Sequence, residues 1–171
     1  KRERLEQLAL YQTGGGMVRY HGEDHFEVMD VPQRFEAGTP NIEGAIGLAA
    51  AVAWLRRLGM DTVRAHSQSL GRQLVDGLCS IPGVHVLADS APTDKRIGLA
   101  TFTLDAPGFT QESLARLMCD RYQIIVSGGY HCAHILHHRL GLDGTVRIST
   151  HVYNTDDEID RALAALREIA G

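Results

Sequence analysis

A chain of 171 residues, 44% apolar and 22% charged, can hold one domain with a real core, or one domain and part of another. Its net charge of −4 leaves no basic footprint for nucleic acid, and spots such as "WLRRLG" are too short to follow a phosphate backbone. The longest apolar stretch, "AIGLAAAVAWL", falls well short of the roughly 20 residues of a membrane span and is expected to be a buried helix.

The N-terminus, "KRERLEQLAL", is charged and has no apolar run of signal-peptide length, so the cytoplasm is the expected compartment. "RERLEQLALYQ" is a short amphipathic segment of helical period. The glycine run of "TGGGM" follows, and residues 17–35 alternate weakly. A strand "MVRYHG", a turn at residues 22–24 and a strand "FEVMD" predict a hairpin. "EAGTPN" is a loop in which Thr39 or Asn41 can cap the next helix. That helix is predicted over residues 42–58. Its polar face is so thin that it should be largely buried, and Gly59 should end it. "MDTVRAHSQSLGRQLVDGLCSI" predicts a second helix, with Asp61 or Thr62 as cap and an apolar stripe of Val63, Leu70, Leu74 and Leu78.

Beyond Pro82 the rhythm changes to "VHVLA" and "RIGLATFTL" as strands, then a helix in "TQESLARLMCDRY" capped by Thr110. A strand "QIIVS", a short helix in "HCAHILHHRLG", a strand "TVRIST" and a final helix capped by Asn154 or Thr155 complete the chain. Residues 83–171 thus predict a two-layer α/β unit on a small, mostly antiparallel sheet. Residues 1–41 have no core of their own; residues 42–171 comprise the connecting helices and the small α/β domain.

Three widely spaced cysteines, Cys79, Cys119 and Cys132, fit free thiols rather than a disulfide framework. Cys79 and Cys119 lie on apolar helical stretches and are expected to be small core residues. Cys132 sits in "SGGYHCAHILHH" among His131, His134, His137 and His138. Those histidines include metal-like spacings, but no distant Cys/His pair completes a ligand set, so no metal site is expected.

"GGGM", "QRFEAGTPNIEGAIGLAAAVAWLRRLGMD", "SGGYHCA" and "RISTHVYNTDDEID" together resemble the class V, fold-type I pyridoxal-phosphate enzymes, and within them the cysteine desulfurases and selenocysteine lyases. The resemblance runs along essentially the whole chain. It implies the C-terminal small domain of such an enzyme, with residues 1–41 a remnant of the large, cofactor-binding domain. It further implies that Cys132 takes sulfur from an amino-acid substrate as a persulfide, that Arg147 holds the substrate carboxylate, and that Thr39 reaches the pyridoxal 5′-phosphate of the partner subunit in a homodimer. Beside Cys132, His131 is expected to favour the thiolate and to contact substrate. Two departures stand out. Ser127 replaces an arginine of the family pattern, and Tyr130-His131 replaces a His-His pair. The lysine that carries the cofactor is expected upstream of residue 1, and Lys1 does not match it. The competing expectation is a catalytically silent fragment, serving at most as a dimerising or binding module.

Overall fold

Strict alternation in "LATFTL" and "TVRIS" decides the architecture, because a period of two sends one set of side chains into a core and the other set out of it. The computed structural model describes residues 1–105 and 108–171. It divides into two units, Lys1–Arg57 and Leu58–Gly171.

The first unit begins with a short helix α1 (Arg2–Glu6) and an antiparallel hairpin of β1 (Val18–His21) and β2 (Phe26–Val28), as the sequence predicts. Met17 and Val31 are its buried apolar residues. The glycine run lies against the loop before the long helix, where Gly38 N–H donates to Gly15 O at 2.8 Å. Helix α2 (Ile42–Leu58) has the predicted bounds, and Asn41 Oδ1 caps it by accepting from Gly44 N–H at 2.8 Å. Its expected burial is not found. No residue of α2 is buried, and Ile46 and Leu48 are 67% and 66% exposed. An apolar composition marks a surface suited to contact, and within residues 1–57 that surface has no cover.

The second unit comprises α3 (Met60–Cys79), β3 (Val84–Val86), β4 (Leu99–Leu104), α4 (Gln111–Tyr122), β5 (Ser127–Gly129), α5 (His134–Leu140), β6 (Thr145–Ser149) and α6 (Asp156–Ala170). The sheet is antiparallel throughout, in the order β3-β4-β6-β5. Ala100, Phe102 and Leu104 of β4 and Val146 and Ile148 of β6 face a core closed by Leu70, Leu74 and Leu78 of α3, Leu114 and Met118 of α4, and Ile159, Leu163 and Leu166 of α6. Thr101, Thr103, Thr145 and Arg147 point the other way. Where α3 meets α6, Gly77 leaves room for Leu163; a Cβ there would stand 2.2 Å from Leu163 Cδ1.

Three expectations are corrected here. Helix α3 starts earlier than Asp61; its N-cap is Gly59, at φ 84°, with no side-chain cap, so a single residue separates α2 from α3. Cys79 is exposed and Cys119 half-buried. Each lies one residue beyond a buried side chain, Leu78 or Met118, and one residue turns a helix by about 100°. The strand expected over "QIIVS" lies instead in Ser127–Gly129. Gln123 is left-handed (φ 57°) and Ile124 N–H is spent on Met118 O at 3.1 Å, closing α4, so it is not free for a ladder. A strand of glycines then suits the position, because a Cβ on Gly128 would fall 2.5 Å from Gln111 O and 2.9 Å from Ala115 Cβ on α4. No helix among the described residues is long and apolar enough to cross a membrane.

Gly128→Ala is therefore expected to push β5 away from α4 and cost about 1–3 kcal/mol, seen as a lower urea midpoint. The cap of α6 gives a pH signature. Glu158 accepts from Asn154 Nδ2 and from Thr155 N–H, both at 3.0 Å, while Thr155 Oγ1 accepts from Glu158 N–H. The Asn154 hydrogen bond first, then that of Thr155, holds the Glu158 carboxyl below its ordinary value of 4.5. The native state therefore takes that proton later than the unfolded chain. This contribution to stability is complete above the ordinary value and is lost as pH falls through the lower native one. Glu158→Gln should flatten that part of the acid limb in urea titrations at stepped pH.

Candidate functional site

Cys132 stands at the tip of a four-residue turn between β5 and α5. Ala133 N–H donates to Tyr130 O at 2.8 Å, and the two central residues, His131 and Cys132, have φ of 50° and 59°. Two successive positive φ values belong to a type I′ turn, where glycine and asparagine are usual. For other residues the left-handed region costs roughly 1–2 kcal/mol each, so such a turn persists only where its surroundings impose it.

Thr145, the first residue of β6 and fully buried, imposes it. Its carbonyl accepts from His131 Nε2 at 3.1 Å, and its hydroxyl meets Nε2 of the buried His137 at 3.0 Å. His137 Nδ1 lies 3.0 Å from Ala133 O. Carbonyl oxygens only accept, so His137 donates from Nδ1 to Ala133 and accepts at Nε2 from the Thr145 hydroxyl. The residues on either side of Cys132 are thus both tied to one threonine, His131 directly and Ala133 through His137. Tyr130, at the start of the turn, donates its hydroxyl to Asp143 and stacks on the His134 ring at 4.6 Å between centroids. The Asp143 hydrogen bond, with desolvation adding to it, raises the Tyr130 pKa above its ordinary value. Cys132 itself is exposed.

The surroundings of His131 disfavour the imidazolium. Burial first, and then the Arg147 charge, hold it below the ordinary imidazole value, with the Thr145 hydrogen bond opposing. Because Nε2 carries the proton given to Thr145, the neutral ring keeps its lone pair at Nδ1.

Arg147 lies in the middle strand of the site face. Thr101 of β4 and Ser127 of β5 are its direct partners in register, so a hydroxyl residue sits opposite Arg147 on each neighbouring strand. Its Nε is buried without a partner among the described residues. A buried donor left unmade costs about 1–3 kcal/mol, which an acceptor placed there would recover. A groove of about 340 Å³ opens on the same face, with Leu99, Thr101, Leu136 and His137 in its lining. Ser127 is therefore the cross-strand neighbour of Arg147.

Thr39 belongs to the other unit. It is exposed, in the loop that Gly38 pins to the glycine run. Among the described residues, no three metal-capable side chains converge. His131 and His137 are engaged by Thr145 and Ala133, and His134 by the Tyr130 ring. Sequence reasoning missed Thr145, Asp143 and the structural use of Tyr130. Only the Gly-Thr start of a strand marked Thr145, and that carries no chemical signal.

The family described as Aminotransferase class-V matches residues 1–162. A protein named "Probable cysteine desulfurase" from Vibrio cholerae is 36% identical over 164 residues, covering 96% of this chain and 39% of its own length. Among solved structures, the apo cysteine desulfurase of Thermococcus onnurineus NA1 superposes with a TM-score of 0.84 at 32% identity, covering 99% of this chain and 41% of that one. The cysteine desulfurase CsdA of Escherichia coli, in its S-sulfonic acid form, gives 0.82 at 32% identity, covering 99% and 40%. The chain spans about two fifths of the length of each of these relatives.

Thr145→Val keeps the shape of the side chain but leaves the buried His137 Nε2 without a partner. The expected cost is about 1–3 kcal/mol in urea unfolding, larger than for Thr103→Val on the same face.

Proposed function

This chain belongs to the class-V aminotransferase family, and we propose that it is the C-terminal portion of a cysteine desulfurase-like enzyme, with Cys132 as the sulfur acceptor. The observation that carries the reading is the exposed thiol on a left-handed turn held from both sides by Thr145, with Arg147 two residues further along the same strand and its Nε without a partner among the described residues. Residues 1–41 are assigned to the cofactor-binding large domain, and residues 42–171 to the connecting helices and small domain.

In the complete enzyme, Arg147 fixes the substrate carboxylate through its two-pronged guanidinium. The Cys132 thiolate attacks the sulfur of the substrate cysteine. The S–Cβ bond breaks, its electron pair stays on Cβ, and a proton taken up there leaves alanine. The transferred sulfur remains on Cys132 Sγ as a persulfide. His131, whose Nδ1 is left free by the Thr145 hydrogen bond at Nε2, contacts the substrate end of the site.

The family's cofactor is pyridoxal phosphate, which, when bound, supplies the electron sink for this bond cleavage. The residues present fit its phosphate end: Thr39 offers a hydroxyl in a glycine-pinned loop suited to an anion. They do not fit its covalent attachment. The chain has two lysines, Lys1 and Lys95; Lys1 does not match the family's motif, and Lys95 lies 3.7 Å from Asp94 on the surface. Attachment is assigned to the remainder of the enzyme. The uncovered apolar side chains of α2 support cover by that remainder or by the second subunit of a homodimer.

Iodoacetamide labelling near neutral pH, resolved by peptide mass spectrometry, tests the reading. Cys132 is expected to react faster than the equally exposed Cys79 and the half-buried Cys119. Labelling equal to or slower than that of Cys79 removes the nucleophile role and leaves a silent binding module.

A further inference from the structure

The His131 ring and the Arg147 guanidinium approach the same site from different strand connections. His131 is fixed by its hydrogen bond to the Thr145 carbonyl, and Arg147 lies two residues further along β6. The Thr145 and Arg147 side chains leave the same face of the strand, about 7 Å apart along it. From that half-buried position the guanidinium charge opposes a second positive charge on the imidazole. The other charged or titratable groups around the turn are His137, packed from α5 with centroids 6.1 Å apart, Tyr130, whose hydroxyl bonds Asp143, and Glu112 of α4, whose Oε1 lies 3.0 Å from where a Cβ on Gly129 would stand. His137 is committed at both nitrogens to Ala133 and Thr145, and Asp143 is committed to Tyr130. Arg147 is thus the charge at this site that a ligand can cancel, and its unpartnered Nε is the atom a carboxylate would meet.

We propose that Arg147 and His131 form a carboxylate-sensing pair, in which an amino-acid carboxylate on the Arg147 guanidinium lets His131 take up a proton from solvent at Nδ1. The inference rests on the reading of Arg147 as the carboxylate site and adds a consequence to it. With the site empty, the Arg147 charge opposes an imidazolium in the turn. With an acid end in place, the guanidinium charge is neutralised, the ring becomes cationic, and a positive charge one residue from Cys132 favours the thiolate. The nucleophile is then activated only when substrate is positioned. Ser127 sharpens this coupling, because its hydroxyl beside Arg147 leaves one cation on the row for one carboxylate to cancel.

The test is a pH titration of the His131 ring by heteronuclear NMR, in sodium acetate and in sodium chloride of equal ionic strength, with the Arg147 Nε–H resonance followed alongside. Acetate is expected to shift the Arg147 resonance, move the His131 midpoint upward and speed Cys132 alkylation; chloride should do none of these. Arg147→Gln should raise the His131 midpoint without acetate and abolish the acetate response. Arg147→Lys, which keeps the charge, should retain the low midpoint and serves as the reference if the glutamine variant does not fold. If acetate shifts Arg147 but leaves His131 unmoved, the pair is overturned while the carboxylate site stands. If acetate shifts neither, both fall. An equal effect of chloride reduces the response to general screening and overturns the pair.

Discussion

The site depends on Thr145 serving two histidines at once. Its carbonyl takes the His131 proton and its hydroxyl satisfies the buried His137, and between those two anchors lies the turn that carries Cys132. Left-handed φ at two successive non-glycine residues is unstable in a free loop. Here each end of the turn is bonded to an element already fixed by the sheet. The strain is held by the fold, which leaves the thiol in solvent in a defined orientation.

Strand β6 makes this possible because it serves both of its faces. Val146 and Ile148 enter the core and fix the height of the strand, while Thr145 and Arg147 emerge on the other side into the site. A shift of one residue in register would exchange the two sets, so the hydrophobic core and the chemistry are specified together. The glycines of β5 play a complementary part. Gly128 lets α4 lie against the strand, which brings Ser127 beside Arg147 and sets where the cysteine turn begins. Core packing and the geometry of the candidate site are one constraint here.

The exposed α2 gives the chain its second character. A helix bearing Ile46, Leu48, Val52 and Trp54 on an uncovered surface is poorly suited to stand alone in water. Together with a length of about two fifths of its relatives, this fits a part of a larger assembly. The small-domain unit, by contrast, carries its own closed core of sixteen buried residues, reaching from Leu70 to Leu166.

The sequence by itself determined the order and type of nearly every element, because the period of the apolar residues and the cap chemistry are local. The bounds of α2, the cap at Thr110, a cap at Asn154 or Thr155 and the antiparallel α/β pattern of residues 83–171 were legible in this way. So was the family, since motifs such as "RFEAGTPN" and "YNTDDEID" are contiguous. Only the tertiary structure decided which residues meet. The exposure of α2 and Cys79 depends on what packs against each face, which composition does not encode. The shift of β5 from "QIIV" to the glycines follows from α4 claiming the Ile124 amide for its own end. The pairing of Ser127 with Arg147 and the double role of Thr145 join residues distant along the chain, through a register that is set only when the sheet closes.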